Sequence, residues 1–327
     1  MTHVADNTFH PPFYLKHTAL QTILASIGLR KWGRNPMLQA AQHHILDAGN
    51  GIRLSGSFSS ILSRPSKGLC ILLHGWEGSS GSTYVLNCGR HLYKNGYDVF
   101  RLNYRDHGDS HHLNKGLFYA TLLEEVYQAV TQAARFSINA PVFLVGFSLG
   151  GNFALRIARR CLDNGISPLK HVISISPVLD PDKATDKIDG NPFLLAYFMK
   201  KWKQSLRHKQ HLFPDLYDFT DILREKNIRK MTGLLLRRYT DYPDTKTYFR
   251  SYGIYGHDLA DIQIPTTIVT AADDPVIPVE DFHHLKTGLS IDMFIHPYGG
   301  HNGFVDSVRG PAWYDRFMLD TILCPDT

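Results

Sequence analysis

One serine of this sequence lies in a pattern that is typical of a nucleophile. Ser148 is the centre of Gly146-Phe147-Ser148-Leu149-Gly150, which has the Gly-x-Ser-x-Gly form of a tight turn from a strand into a helix. Glycine at both flanking positions leaves room for a strained backbone, and the start of a helix favours negative charge on the serine oxygen. The pattern predicts nucleophilic acyl transfer, but short Gly and Ser runs also occur in purely structural turns.

The sequence also contains a candidate acid and a candidate base downstream of this serine. Asp273 and Asp274 follow a predicted strand at residues 265–270, and His301 follows the last predicted strand at 291–295. Parallel strands end at one edge of a sheet, so these side chains should lie near Ser148. The order Ser, Asp, His predicts a catalytic triad in which either aspartate could serve.

A further strand, at residues 68–73, ends at His74-Gly75-Trp76. In a hydrolase with this arrangement, the loop after that strand and the residue after the nucleophile each give one backbone N–H to the oxyanion. By position, the predicted donors are the amides of Trp76 and Leu149. The alternative is that His-Gly belongs to an ordinary strand-to-helix loop.

The elements that must position these residues alternate along the chain. Buried strands are predicted at 68–73, 98–103, 140–145, 171–176, 265–270 and 291–295, after an edge hairpin at 42–46 and 52–58. Between the strands, the 3.6-residue periodicity of apolar residues predicts three helices: one at 84–94, one at 117–136 and one directly after the serine turn. In the helix at 117–136, Glu124 and Glu125 should face solvent. A last helix is predicted at 312–323. The alternation indicates an α/β fold with a mostly parallel central sheet and helices on both faces.

The alternation stops at residues 181–260, which contain helical patterns and no strand-like run. We predict that this segment is a helical cap, that 1–40 pack on the surface, and that 41–180 with 261–327 form the core. Residues 183–250 carry 15 Lys or Arg against 8 Asp or Glu. Leu194, Phe198 and Trp202 recur at helical spacing and could line an acyl pocket, although packing or peripheral membrane contact through the cap is also compatible with the pattern.

Composition excludes several classes of function. The 327 residues are 43% hydrophobic with a net charge of +5, too weakly basic to indicate nucleic-acid binding without a motif. No apolar run reaches the length of a membrane span, and the first residues do not resemble a signal peptide, which favours a cytoplasmic protein. The four cysteines lack metal-site spacing, and the adjacent histidine pairs should point apart. We therefore expect no metal and no cofactor.

Several motifs together resemble the YheT-like α/β-hydrolases. These are His17-Thr18-Ala19-Leu20-Gln21-Thr22, His74-Gly75-Trp76-Glu77-Gly78-Ser79-Ser80, Asn103-Tyr104-Arg105, the serine turn with Gly151 and Asn152, Ala272-Asp273-Asp274-Pro275 and Gly299-Gly300-His301-Asn302-Gly303-Phe304. The resemblance covers nearly the whole chain. It implies the α/β-hydrolase fold, and its Asp-x-x-x-Pro spacing before Pro278 implies that Asp274 is the acid while Asp273 bonds the loop backbone. Two features depart from the family: Arg105-Asp106-His107-Gly108 replaces the usual Arg-Gly turn, and the membrane anchor of the eukaryotic relatives is not found.

The sequence thus predicts a serine esterase that acts on a small-molecule ester with an apolar acyl or alcohol group of short to medium chain length. Its predicted site is Ser148, Asp274 and His301, with the amides of Trp76 and Leu149 as oxyanion donors. Acyl transfer to an alcohol and (lyso)phospholipid hydrolysis would use the same triad. A non-catalytic binding protein on a hydrolase fold is the alternative of another class.

Overall fold

The computed structural model describes residues 8–322, and its centre is one eight-stranded sheet. The strands are β1 (Ala41–Asp47), β2 (Arg53–Ser59), β3 (Leu69–Leu73), β4 (Asp98–Leu102), β5 (Val142–Phe147), β6 (Leu169–Ile175), β7 (Thr266–Ala271) and β8 (Ile291–His296). Their spatial order is β1-β2-β4-β3-β5-β6-β7-β8. The β1–β2 hairpin forms one edge of the sheet, and both the β1–β2 and the β2–β4 pairs are antiparallel. The remaining neighbours, from β4 through β3, β5, β6 and β7 to β8, pair in parallel. The edge hairpin and the parallel pairing were predicted from the sequence.

Helices surround this sheet. They are α1 (Thr18–Ser26), α2 (Pro36–Gln39), α3 (Thr83–Lys94), α4 (Leu123–Ala134), α5 (Leu149–Arg160), α6 (Pro181–Asp189), α7 (Pro192–Leu212), α8 (Thr220–Arg224), α9 (Ile228–Tyr239), α10 (Thr245–Tyr252), α11 (Glu280–His283) and α12 (Trp313–Phe317). Short 3-10 turns cover Phe13–Leu15, Gly28–Lys31 and His111–Leu113, and α12 continues as a π-helical turn, Met318–Ile322. Residue 323, at the end of the predicted last helix, and Cys324 lie outside the described residues. Within residues 8–322, no helix is both long and apolar enough to cross a bilayer.

The sheet is covered on both faces, which is why its central strands read as continuous apolar runs. All five residues of β3 are buried. Leu69, Ile71 and Leu73 join a core with residues of α4 and α5, whereas Cys70 and Leu72 join a second core with residues of α3 and α12. The pleat therefore sends successive side chains into opposite layers.

The helix predicted at 117–136 is shorter than expected. The observed α4 begins at Leu123, and residues 117–122 form a loop with a turn at 120–121. Glu125 was expected to face solvent, yet its side chain is 6% exposed and forms an ion pair with Arg105 of the loop after β4. The charge is tolerated in the interior because a buried partner neutralises it, and that partner lies 20 residues away in the chain.

Between β6 and β7 the chain forms five helices, α6 to α10, and no strand. Phe219, Met231 and Leu235 of this segment belong to the same core cluster as residues of α4 and α5. Asn152 of α5 donates to the carbonyl of Tyr252 in α10 at 2.9 Å. The segment for which we predict a cap is therefore packed against the helix that begins at the serine turn.

Candidate active site

Ser148 lies between β5 and α5 with φ at +56° and ψ at −117°. Few residues other than glycine adopt this region, and strained backbone of this kind clusters at functional sites. The close backbone packing around this turn explains why its flanking positions are glycines. A Cβ on Gly146 would lie 2.1 Å from the carbonyl oxygen of Gly150, and a Cβ on Gly150 would lie 2.4 Å from that of Leu73. Neither position could hold a larger residue without moving the backbone.

The three predicted side chains come together at the carboxyl ends of β5, β7 and β8. His301 Nε2 lies 2.9 Å from Ser148 Oγ, and His301 Nδ1 lies 2.9 Å from Asp274 Oδ2. The three residues are between 8% and 9% exposed. This is the geometry in which an imidazole can take the proton of a serine while a carboxylate holds its other nitrogen.

The carboxylate of Asp274 is itself held by the loop after β7. Its Oδ1 accepts hydrogen bonds from the amides of Val276 at 2.8 Å and Ile277 at 3.0 Å. Because an ionised carboxylate only accepts, the nitrogen that faces Asp274 must carry the proton. Nε2 is then free to accept from Ser148.

Asp273, the alternative acid, points elsewhere. Its Oδ1 accepts from the amide of Gly300 at 2.9 Å, and its Oδ2 accepts from the hydroxyl of Thr18 at 2.7 Å. Asp273 therefore binds the backbone of the loop that carries His301, while Asp274 binds the imidazole.

Trp76 and Leu149, whose amides are the predicted oxyanion donors, line the same cavity as Ser148. Within residues 8–322, neither amide donates to a protein acceptor. A Cβ on Gly75 would lie 3.1 Å from Cβ of Ser148, so the loop after β3 lies directly beside the serine. Unpaired N–H groups fixed next to a nucleophile can stabilise an oxyanion without reorganisation.

Ser148 opens into a mostly apolar cavity of about 130 Å³. The loop before α4 contributes Phe118 and Tyr119, and α6, α9 and α10 supply much of the remaining wall. Phe198 and Trp202 of α7 line it, which is one of the roles that the sequence left open for them, and Phe198 stacks on Trp76 with ring centroids 5.3 Å apart. Leu194 does not line it and packs against the core. Such a space suits an apolar chain.

A second cavity, of about 600 Å³, is lined mostly by residues with charged or polar side chains; we call it the polar cavity, and it adjoins the first. The two share Glu77, Asp106, His107 and Ser205. Lys201, Arg207, His208 and His211 of α7 line only the polar one. Burial raises the pKa of Glu77 to about 8, opposed by the Lys201 ammonium. Burial also lowers the pKa of His107 to about 4, so its neutral ring accepts from the Glu77 amide at 3.2 Å.

Sequence reasoning missed a buried ion pair that joins this region to α7. Lys209 Nζ lies 2.7 Å from Asp106 Oδ1 and 2.7 Å from the carbonyl oxygen of Asn114, and its side chain is 1% exposed. The only sequence signal was that Asp106 departs from the pattern of the resembled family. Asp106 also adopts φ of +56°, a region that aspartate tolerates better than most residues.

In the part of the chain that the structure describes, no three His, Cys, Asp or Glu side chains come close enough together to hold a metal ion. Cys70 and Cys88 are buried and unpaired, and burial raises the pKa of both thiols.

Comparison with known proteins places the chain in a family. Residues 64–300 match the family described as serine aminopeptidase, S33, and the chain belongs to it. It is 25% identical to the "Putative esterase slr0264" of Synechocystis sp. over 93% of this chain and 88% of the relative. It is 22% identical to the "Putative esterase YheT" of Escherichia coli K12 over 91% of this chain and 90% of the relative. The resemblance to YheT-like proteins is thereby confirmed.

A solved structure of the Pyrococcus furiosus esterase Pf2001 superposes with a TM-score of 0.53 at 15% identity, covering 84% of this chain and 88% of that one. This likeness, with the observed sheet, confirms the predicted α/β-hydrolase fold.

Proposed function

We propose that this protein is a serine esterase that hydrolyses carboxylic esters of short- to medium-chain acyl groups. The observation that carries the proposal is a pair of hydrogen bonds made by one imidazole. His301 Nε2 bonds to Ser148 Oγ and His301 Nδ1 bonds to Asp274 Oδ2, each at 2.9 Å. The esterase names of the two relatives and the family of the chain support the same class of reaction.

In the proposed mechanism, Ser148 Oγ attacks the ester carbonyl as His301 Nε2 takes its proton. The carbonyl oxygen gains negative charge beside the amides of Trp76 and Leu149. Collapse of this intermediate breaks the C–O bond, and His301 returns the proton to the leaving alcohol. Water then attacks the acyl-serine by the same route, with His301 again acting as base, and releases the acid and free Ser148.

We place the acyl chain in the apolar cavity, because Ser148 lies in its wall and Phe118, Phe198 and Trp202 offer it apolar contact. Residues 181–260 would act as the cap over this cavity. The alcohol part of the ester would then leave toward the polar cavity, which shares Glu77 and His107 with the apolar one.

The decisive experiment is covalent labelling with a fluorophosphonate, followed by mapping of the modified peptide. We expect wild-type protein to be labelled on Ser148 and Ser148→Ala to remain unlabelled. p-Nitrophenyl esters of increasing acyl length then measure turnover, with an aminoacyl p-nitroanilide as the amide comparison. A folded wild-type protein that is neither labelled nor active on esters would favour the binding-protein alternative.

A second candidate is hydrolysis of an ester whose alcohol carries an anionic group, as in a lysophospholipid. The polar cavity favours it, since Lys201 and Arg207 line that cavity. For such a substrate KM should rise with ionic strength, because salt screens the attraction between exposed charges. KM for a neutral p-nitrophenyl ester should change far less.

A further inference from the structure

The N-terminal helix α1 touches the loop that carries His301, although it lines neither cavity. The amide of His301 donates to Thr22 Oγ1 at 3.0 Å. The Thr22 hydroxyl in turn donates to the carbonyl oxygen of Thr18 at 3.0 Å, within the helix. Its proton and its acceptor lone pair therefore have fixed partners, and the hydroxyl holds the backbone of His301 in one place.

Two neighbouring contacts fix the same loop. Thr18 donates to Asp273, which accepts from the amide of Gly300, the residue before His301. Gln21 is fully buried, and its side-chain amide donates to the carbonyl of Val305 at 2.8 Å and accepts from the amide of Val305 at 2.7 Å. Residues 301 and 305 are thus hydrogen-bonded to α1 directly, and residue 300 is linked to it through Asp273.

The loop that carries His301 packs tightly against α1. A Cβ on Gly300 would lie 2.8 Å from the Thr18 carbonyl oxygen and 2.8 Å from Thr22 Oγ1, and a Cβ on Gly303 would lie 2.7 Å from the Gln21 carbonyl oxygen. Gly300 also adopts φ of +54°. The helix and the loop are in direct backbone contact on both sides of His301.

We infer that Thr22 is a positioning residue of the proposed esterase: through its hydrogen bond to the His301 amide it sets the imidazole within reach of Ser148. The inference rests on the proposed function, because it assumes that His301 is the base. A small displacement of a catalytic group can cost about 10²-fold in rate. Loss of the Thr22 hydroxyl also leaves the part-buried amide of His301 without its acceptor, which favours a shift of the loop.

The test compares Thr22→Val, which removes the hydroxyl at almost constant volume, with Thr22→Ser, which keeps it. For a p-nitrophenyl ester we expect Thr22→Val to lower kcat by about 10²-fold with KM little changed, since α1 contacts no cavity. Thr22→Ser should restore most of the rate. The rate constant for fluorophosphonate labelling of Ser148 should follow the same order.

Thr131→Val is the matched control. Like Thr22, Thr131 of α4 donates its hydroxyl to the carbonyl oxygen four residues earlier, that of Tyr127, at 2.9 Å and in a half-buried position. We expect its kcat to equal that of wild type. Melting temperatures of all variants separate a loss of rate from a loss of folded protein.

The outcomes distinguish the inference from the proposed function. If wild type is labelled on Ser148 and Thr22→Val reacts as fast, or Thr22→Ser is as slow as Thr22→Val, the positioning role is wrong and the esterase proposal stands. If folded wild type is not labelled, both are overturned. Should Thr22→Val not fold, Thr22→Ala removes the same hydroxyl with a better helix former and the same result is expected.

Discussion

Asp273 and Asp274 are adjacent in the chain, yet their carboxylates hold two different parts of one loop. Asp274 faces His301 Nδ1 at 2.9 Å, and Asp273 accepts from the Gly300 amide at 2.9 Å. The two residues lie at the end of a tight turn, which is closed by a hydrogen bond from the Asp274 amide to the Ala271 carbonyl oxygen at 3.2 Å. One turn after β7 can therefore support both the imidazole and the backbone that carries it.

This division predicts different outcomes for two matched substitutions. In Asp274→Asn, the side-chain oxygen would stay on the amides of Val276 and Ile277, and the NH₂ group would face His301 Nδ1. The imidazole must then carry its proton on Nε2 and can no longer accept from Ser148. We expect kcat for a p-nitrophenyl ester to fall by about 10⁴-fold.

Asp273→Asn is the control. Its remaining carbonyl oxygen can still accept from the Gly300 amide, and its NH₂ group can donate to the Thr18 hydroxyl, so we expect turnover near that of wild type. Equal losses in the two variants would contradict the assignment of Asp274 as the acid. Melting temperatures measured alongside would show whether either variant has lost folded protein.

A second prediction concerns the buried pair of Lys209 and Asp106. Lys209→Met leaves the Asp106 carboxylate, whose side chain is 7% exposed, without its cation. Breaking a buried pair from one side typically costs about 3–5 kcal/mol of unfolding free energy. We expect a loss of this size in urea denaturation, and Asp106→Asn added to Lys209→Met should recover part of it, because it removes the unpaired charge.

The exposed pair of Arg224 and Asp221 provides the comparison for this experiment. Its side chains are 78% and 61% exposed, and Arg224→Met should change the unfolding free energy by less than about 1 kcal/mol. Similar losses for Lys209→Met and Arg224→Met would show that burial of the Asp106 pair has no special effect.

The sheet and the meeting of Ser148 with His301 could be predicted because each depends on local pattern. Buried strands leave apolar runs, and residues just after parallel strands meet at one edge of a sheet. These two facts place Ser148 and His301 at the same edge although they are 153 positions apart in the chain, and their Oγ and Nε2 atoms lie 2.9 Å apart.

Other features depend on partners that local pattern does not reveal. Glu125 has the spacing of a solvent-facing residue, but it is buried and forms an ion pair with Arg105. Lys209 lies in a basic run that is typical of an exposed helix, and only the fold brings it to Asp106, 103 residues away. The contact between Thr22 and His301 spans 279 residues. Polarity alone cannot tell a solvated charge from a buried and paired one.

A third prediction follows from the raised pKa of Glu77. Burial raises this pKa to about 8 from an ordinary value of 4.5, while Lys201 opposes the shift and Asp106 adds to it. Between these values the folded protein holds a proton that the unfolded chain has lost. The unfolding free energy should therefore fall as pH rises through this interval.

Glu77→Gln removes this titration and keeps the size of the side chain. Between about pH 5 and about pH 9, we expect the wild-type melting temperature to drop more than that of Glu77→Gln. Groups other than Glu77 titrate in both proteins, so the difference between the two curves isolates this carboxyl. Parallel curves would mean that the Glu77 carboxyl is solvated and titrates normally.

A last prediction tests where the acyl chain lies. Ala184 of α6 is 5% exposed and lines the apolar cavity of about 130 Å³. Ala184→Leu adds three carbons to that space. We expect kcat/KM to fall by about tenfold or more for p-nitrophenyl octanoate, because a single methylene in an apolar pocket is worth 10-fold or more, and to change little for the acetate.

Ala196→Leu makes the same change on the exposed side of α7, outside both cavities, and should leave the whole ester series unchanged. A loss of activity in Ala184→Leu that is equal for acetate and octanoate would mean that the acyl chain does not enter this cavity. A shift of preference toward short esters, with an unchanged melting temperature, would place the chain beside Ala184 and make α6 the element that sets chain-length specificity.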